Sequence, residues 1–160
     1  MKTVLQIRNV ALVAVILSMI IGVAVIADDE PEETAEPTLY ERLGGVYSIA
    51  SVVDELVDRL DKNELLNANP MIAKARSEVP IAGIKFRLTA MVCQAAGGPE
   101  VYHGRSMKDA HAHLNISNAE WVEMVRVFSE LLDEFKVPEK EKGELFALIG
   151  PTKADIVTAE

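Results

Sequence analysis

The chain of 160 residues has the length of one domain with an additional segment. Its formal net charge of −9, without any stretch rich in lysine and arginine, argues against a nucleic acid partner. The single cysteine, Cys93, excludes an intramolecular disulfide, and its position in an apolar helical pattern predicts a buried thiol.

The N-terminal part of the chain differs from the rest. Lys2 and Arg8 precede an uncharged, mostly apolar run over residues 10–27, and an acidic, proline-containing stretch follows over residues 28–37. This order is typical of an export signal or of a membrane anchor whose N-terminus lies in the cytoplasm. The run is long for a signal and short for a spanning helix, so both interpretations stay open, and a buried helix of a cytoplasmic protein is a third alternative.

The two interpretations share one consequence for the location of the domain. A signal peptide over residues 1–27 would be cleaved after Ala27, whereas an anchor would keep residues 10–27 in the membrane. Either one predicts an exported protein, periplasmic or membrane-anchored, with the folded domain outside the cytoplasm. Residues 28–37 are then expected to form a solvated acidic linker.

From residue 38 onward the apolar residues recur at helical spacing, and the sequence predicts an all-α domain over residues 38–155. Glycine and proline clusters mark the helix ends at Gly44-Gly45, Asn67–Pro70 and Gly97-Gly98-Pro99. Ser117 and Glu120 form a capping box, and Pro138 suits the first turn of the last helix. The predicted helices cover residues 39–43, 46–60, 71–77 and 81–96, a short stretch that contains His111, residues 118 to about 136, and residues 138 to about 149.

Three histidines, His103, His111 and His113, are close together in the sequence. On one helix His111 and His113 point about 200° apart, so only one of them is expected to face an interior pocket. No neighbouring cysteine or acidic pair completes a zinc site. The residues alone therefore leave a choice between a hydrogen-bonded histidine and a ligand that acts singly.

Three motifs occur together in a fixed order. They are LYERLGG at residues 39–45, GGPEVY at residues 97–102, and MKDAH at residues 107–111, which leads into a helix that begins near Trp121. Their order and spacing over about residues 38–150 resemble those of the group I truncated (2-on-2) haemoglobins. The resemblance implies a 2-on-2 helical globin fold that binds haem b.

The same resemblance assigns roles to particular residues. It implies that His111 is the axial ligand of the haem iron and that His113 faces outward or packs locally. Arg87, with Lys85 as a weaker candidate, is expected to reach a haem propionate. If the match of this helix to the family is displaced by one helical turn, Lys85 or Gln94 enters the pocket instead, as a hydrogen-bond donor or a sixth ligand of the iron. Tyr102 and Met107 are expected to lie near the edge of the haem. The residues expected at the distal and haem-packing positions are Val57, Ile84, Leu88, Met91 and Val92.

The distal positions depart from the family pattern. Many relatives carry a tyrosine and a glutamine that donate hydrogen bonds to bound dioxygen, whereas this chain has Val57 and Leu88. Bound dioxygen is partly superoxide-like and is stabilised by a donor in a pocket of low dielectric constant. An apolar pocket therefore predicts fast release of dioxygen and weak discrimination against carbon monoxide.

The resemblance favours a haem protein that reversibly binds a diatomic gas, dioxygen by default, over an enzyme. One alternative is a haem redox enzyme that acts on nitric oxide or peroxide, although an apolar pocket without an acid or base disfavours peroxide cleavage. Another is an electron-transfer or gas-sensing protein. The chain has no reductase domain, so redox turnover implies a separate electron donor as partner. A haem-free all-α interaction domain is the last alternative.

Overall fold

The computed structural model describes residues 36–159. The predicted signal or anchor at residues 1–27, and most of the predicted linker, lie outside the described residues. Within residues 36–159 no helix has both the length and the apolar character needed to span a membrane. The helices of this part are α1 (Leu39–Arg42), α2 (Gly45–Lys62), α3 (Glu64–Asn67), α4 (Pro70–Glu78), α5 (Ile81–Ala95), α6 (Met107–His111), α7 (Asn118–Glu134), α8 (Glu139–Ile149) and α9 (Lys153–Ile156), with a 3₁₀ turn at Gly150–Thr152.

The all-α prediction is confirmed, and most of the predicted helix ends agree with the structure within two residues. Gly44 and Gly97 both have φ of +87°, a conformation that glycine adopts without strain, and they separate α1 from α2 and end α5. The Ser117–Glu120 capping box is present at the start of α7. Pro138 differs from the prediction, since it is the N-cap of α8 and precedes its first turn.

The α2 and α5 helices pack against each other through small and branched side chains. Ile49, Val53 and Val57 on α2 form one buried cluster with Cys93 on α5. Cys93 is 0% exposed, which confirms the predicted buried thiol. Outside this cluster, Lys85 on α5 contacts two carboxylates of α2 at 2.7 and 2.6 Å, so a pair of ionic contacts fixes the register of the two helices.

The α7 helix forms the second side of the core. Its Leu131 and Leu132 are 0% and 1% exposed, and they pack with Leu39 of α1 and Leu145 of α8. The periodic apolar face of α7 explains this position, because residues three and four apart share one side of a helix. The result is a globular core to which α1, α2, α5, α7 and α8 all contribute.

A third cluster supports the short α6 helix. Ile116, Trp121 and Ile156 are buried together, with Met107 of α6 packed against them. The backbone N–H of Thr158 donates to the carbonyl of Ile116 at 2.9 Å. The packed region therefore continues past residue 155, where the sequence pattern placed the end of the domain.

Several carboxylates are held by hydrogen bonds from arginines of the same helix or of a neighbouring one. Hydrogen bonds from Arg59 and Arg42 lower the pKa values of Glu134 and Glu141 respectively. The largest such effect is on Glu123, where hydrogen bonds from Arg126 and then from Asn63 lower the pKa to about 2.

The depressed pKa of Glu123 predicts a stability loss in acid. The carboxylate titrates near pH 4.5 when it is unpaired and near pH 2 in the folded chain, so its stabilisation is complete above about pH 4.5 and disappears as the pH falls to 2. Glu123→Gln is therefore expected to flatten the pH dependence of the free energy of unfolding between pH 4.5 and 2. Denaturant titrations at several pH values measure this slope. Glu64→Gln, which removes a carboxylate with no ion pair to any residue between 36 and 159, should leave the slope unchanged.

Candidate functional site

A cavity of about 500 Å³ lies between α2, α4, α5 and α6. The loop over residues 96–106 and the turn after α6 complete its wall. The wall is mostly apolar, with a few charged side chains and imidazoles. The residues that line it are Val57, Leu60, Asp61, Ile72, Ala75, Arg76, Glu78, Val79, Ile81, Ile84, Arg87, Leu88, Met91, Tyr102, Arg105, Met107, Ala110, His111, His113 and Leu114.

His111 occupies the last position of α6 and lies in the cavity wall. Its Nδ1 is 2.8 Å from the carbonyl oxygen of Met107, one turn earlier in the same helix. A carbonyl oxygen only accepts hydrogen bonds, so Nδ1 carries the proton and Nε2 keeps a free lone pair. Ser106 starts this helix by accepting from the backbone N–H of Asp109 at 3.0 Å. The local sequence thus fixes one tautomer of His111, with Nε2 available to bind a metal ion.

The sequence interpretation had His113 face outward or pack locally, and the structure places it, exposed, in the wall of the cavity. Both His111 and His113 line the same cavity. The angle expected between them assumed one continuous helix, but α6 ends at His111 and His113 lies in the turn that follows. The second imidazole is exposed at the cavity wall.

Of the nine residues assigned to the site from the sequence, eight lie in the cavity wall. Val92 does not: it packs, as Leu88 also does, against the two buried clusters that α2 and α7 share with α5, but it lies outside the cavity wall. The apolar face of α5 is wider than the cavity, so Val92 faces the protein core, whereas Leu88 and Met91 reach the cavity. The eight residues are Val57, Ile84, Arg87, Leu88, Met91, Tyr102, Met107 and His111.

Lys85 and Gln94 were the two alternative donors, and the structure places both outside the cavity wall. Lys85 Nζ contacts Asp54 and Asp58 on α2. The side-chain oxygen of Gln94 accepts from the backbone N–H of Tyr102 at 2.6 Å. Neither side chain is therefore positioned to serve as a sixth ligand.

Two arginines in the wall have no acidic partner. Arg87 on α5 and Arg105 in the loop make no ion pair with any side chain of residues 36–159. Arg76 differs, because its guanidinium donates to the carbonyl oxygens of Leu60 and Asp61 at the end of α2. The cavity thus has two guanidinium groups that remain available to an anionic ligand.

The α4 helix is the part of the wall that sequence reasoning missed. It contributes Ile72, Ala75 and Arg76 to the cavity, yet none of its residues is buried, and it has no continuous apolar stripe to reveal it. The preceding Asn69 accepts from the backbone N–H of Met71 at 2.9 Å and donates to the carbonyl of Leu114 at 3.0 Å. The sequence signal for the start of α4 is asparagine followed by proline, because this pair is typical of the first positions of a helix.

A group of three polar side chains lies outside the cavity, near the Gly97-Gly98 pair: Tyr40, Cys93 and Glu100. Tyr40 Oη donates to Glu100 Oε1 at 3.0 Å, while Glu100 Oε2 is buried without a partner among the described residues. Burial and the nearby Glu100 raise the pKa of the Cys93 thiol to about 11. Cys93 therefore stays protonated and unreactive at neutral pH.

Comparisons with known proteins agree with this geometry. The family model described as bacterial-like globin matches residues 38–158. A group 1 truncated hemoglobin from Nostoc sp. is 33% identical over 122 residues, which are 76% of this chain and 86% of that protein. A group 1 truncated hemoglobin from Synechocystis sp. is 27% identical over 71% of this chain and 90% of its own length.

Solved structures show the same fold. The 2/2 hemoglobin from a Synechococcus species, solved in the cyanomet state with covalently attached heme, superimposes with a TM-score of 0.63 at 20% identity, over 76% of this chain and 98% of that one. At that identity the superposition shows the fold alone. The family match and the Nostoc relative show more: the chain belongs to the bacterial-like globin family, as a group 1 truncated (2-on-2) haemoglobin.

Proposed function

We propose that this protein binds haem b through His111 and reversibly binds a diatomic gas, dioxygen by default, on the other side of the iron. Membership of the globin family implies a haem and a diatomic ligand. The observation that carries the assignment of His111 is its hydrogen bond to the Met107 carbonyl, which leaves Nε2 as the free nitrogen of an imidazole in the cavity wall. Haem iron in globins is held by one such imidazole.

The cavity suits haem in its size and in its chemistry. Its volume of about 500 Å³ falls in the range of ligand pockets that bury most of a bound molecule. Its apolar residues would pack against a porphyrin, and Arg87 and Arg105 would pair with the two propionates, since guanidinium groups match carboxylates well. When bound, the haem supplies an iron centre that takes a gas ligand.

The side chains that α2 and α5 contribute to the cavity favour a gas ligand that dissociates quickly. Of these side chains in the cavity wall, only Arg87 carries a hydrogen-bond donor. The resemblance to the family implies that Val57 and Leu88 occupy the positions from which many relatives donate to dioxygen. Two carboxylates, Asp61 and Glu78, also line the cavity, contrary to the expectation that acids are absent. Arg76 Nε lies 3.7 Å from Asp61 Oδ1, and Lys74 Nζ lies 4.0 Å from Glu78 Oε1, so each carboxylate has a cation near the limit of ion-pair distance.

Absorption spectra of the full chain reconstituted with haem test this function. We expect a Soret band in the ferric and ferrous states and a ferrous carbon monoxide complex. Failure to acquire a Soret band with haem in excess would contradict haem binding. A six-coordinate ferrous spectrum without added ligand would instead support the electron-transfer alternative, because it requires a second internal ligand.

We also propose that the domain works outside the cytoplasm. The support is the basic, then apolar, then acidic order of the first 37 residues, which suits either a cleaved signal or a retained anchor. In that location the iron would depend on a separate electron donor for reduction. N-terminal sequencing of the protein recovered from its host distinguishes the two forms, since cleavage leaves Asp28 as the first residue.

A further inference from the structure

The loop over residues 99–105 is attached to the rest of the domain in an unusual way. None of its residues forms a backbone–backbone hydrogen bond with any residue between 36 and 159. Two contacts that involve side chains hold it instead: Tyr40 Oη donates to Glu100 Oε1, and the backbone N–H of Tyr102 donates to Gln94. Its backbone can therefore separate from the domain without breaking any ladder of helical hydrogen bonds.

The same loop forms part of the cavity wall. Tyr102 and Arg105 both line the cavity, and Tyr102 Oη donates to the carbonyl of Arg105 at 2.9 Å, so a hydrogen bond joins the two residues within the loop. A Cβ on Gly104 would lie 2.1 Å from the ring of Tyr102, which shows how closely the ring packs against the backbone there. Movement of Glu100 would therefore carry both cavity residues with it.

Tyr40, the residue that donates to Glu100, is itself held by the Gly97-Gly98 pair and the end of α5. The ring of Tyr40 lies on Gly98, where an added Cβ would be 2.5 Å from Tyr40 Cδ2. The backbone N–H of Tyr40 also donates to the carbonyl of Ala96 at 2.9 Å. Tyr40 is thus fixed to the end of α5 at two points, and its hydroxyl is the group of α1 that reaches the loop.

A flat ligand as wide as haem enters or leaves a cavity only if part of the wall moves. The other parts of this wall are mainly the helices α2, α4, α5 and α6, whose backbones are internally hydrogen-bonded. We propose that the loop over residues 99–105 is the segment that opens for haem entry and loss, and that Tyr40 and Glu100 are positioning residues that keep it closed. This inference rests on the proposed haem-binding function.

The rate of haem loss tests the inference. The full-length haem protein is mixed with excess apomyoglobin, which captures released haem, and the transfer is followed by absorbance. Tyr40→Phe keeps the ring on Gly98 but removes the donor, and it is expected to accelerate haem loss about tenfold, the factor expected when a part-buried hydrogen bond to a carboxylate is lost. Glu100→Leu should do the same, and the double variant should be no faster than the faster single variant, because both remove one contact. Glu100→Gln keeps an acceptor oxygen and should restore a rate near that of the original chain.

A matched control separates this role from general destabilisation. Arg42→Met also loosens α1, because Arg42 binds Glu141 and Glu144 on α8, but it leaves the loop contact intact. We expect this variant to lose haem at the original rate, and all variants to keep the original absorption spectrum, since none touches an iron ligand. Unchanged haem loss in Tyr40→Phe and Glu100→Leu would overturn the inference, as would equal acceleration by Arg42→Met.

A second control tests the competing exit through α4. Asn69→Ala removes the cap of α4 and its bond to Leu114. Faster haem loss in this variant alone, with no effect at Tyr40, would place the opening at α4 and contradict the proposal. A chain that never binds haem would contradict the proposed function, whereas haem bound with unchanged loss rates contradicts only this inference.

Discussion

Replacement of His111 by alanine is expected to abolish the imidazole-ligated haem spectrum and to weaken haem binding by more than about 100-fold. Changing only the groups that orient a metal-bound histidine typically costs 10- to 100-fold in affinity, so removal of the ligand itself should cost more. Addition of free imidazole to His111→Ala should restore a histidine-like ferric spectrum, because the substitution leaves a space of that shape. Absorption spectroscopy and haem titration measure both effects.

The second cavity histidine provides the matched control. His113 lies two residues later, lines the same cavity and is exposed, so His113→Ala changes a comparable side chain near the same helix end. We expect its haem spectrum to match that of the original chain. An unaltered spectrum in His111→Ala would refute the assignment of the axial ligand. Loss of the spectrum in His113→Ala alone would transfer that role to His113.

A hydrogen-bond donor introduced at Val57 is expected to slow dioxygen release. Val57 is 7% exposed, lines the cavity and has no donor, so a tyrosine there would place a hydroxyl in an apolar pocket. Hydrogen bonds that involve charged groups contribute about 1.5–3 kcal/mol, and bound dioxygen is partly anionic, so dissociation should slow by about 10- to 100-fold. Stopped-flow displacement of dioxygen by carbon monoxide measures the rate.

Val57→Phe is the control for the added volume. The larger ring crowds the core between α2 and α5 in both variants, which costs about 1–3 kcal/mol of stability in typical cores. Only the tyrosine adds a donor, so phenylalanine should not slow release by the same factor. Leu88→Gln tests the same idea from α5 with a smaller change in volume. Slow release in the unmodified chain would mean that another group already stabilises dioxygen.

Local sequence signals predicted the helices well because helical spacing and glycine stops act over a few residues. The apolar spacing of Val53, Val57 and Leu60 follows from one helix face, and Gly97 with a positive φ ends α5 at the expected place. His113 shows the limit of this reasoning. Its direction relative to His111 was derived from one continuous helix, but α6 ends at His111, so the angle expected between the two imidazoles does not apply.

Other parts of the cavity depend on contacts between residues far apart in the chain. Arg105 lies in a loop without periodic spacing, so no sequence pattern indicates that it faces the cavity. Tyr40 and Glu100 are separated by 60 positions, and their hydrogen bond depends on how α1 packs on the glycine motif. Val92 was assigned to the cavity because helical spacing cannot divide a wide apolar face between a pocket and the core.

The weak packing of α4 has a consequence for the energetics of the whole domain. None of its residues is buried, although Ile72 and Ala75 lie in the cavity wall. A bound cofactor would cover those two side chains and add to the apolar contact that Ile72 already makes with the cluster of Ile116, Trp121 and Ile156. Binding to the folded state alone raises stability in proportion to the logarithm of ligand concentration, and α4 would receive a large share of that gain. Amide hydrogen exchange in α4 would then report cofactor occupancy, with the protection of this helix rising as the cavity fills.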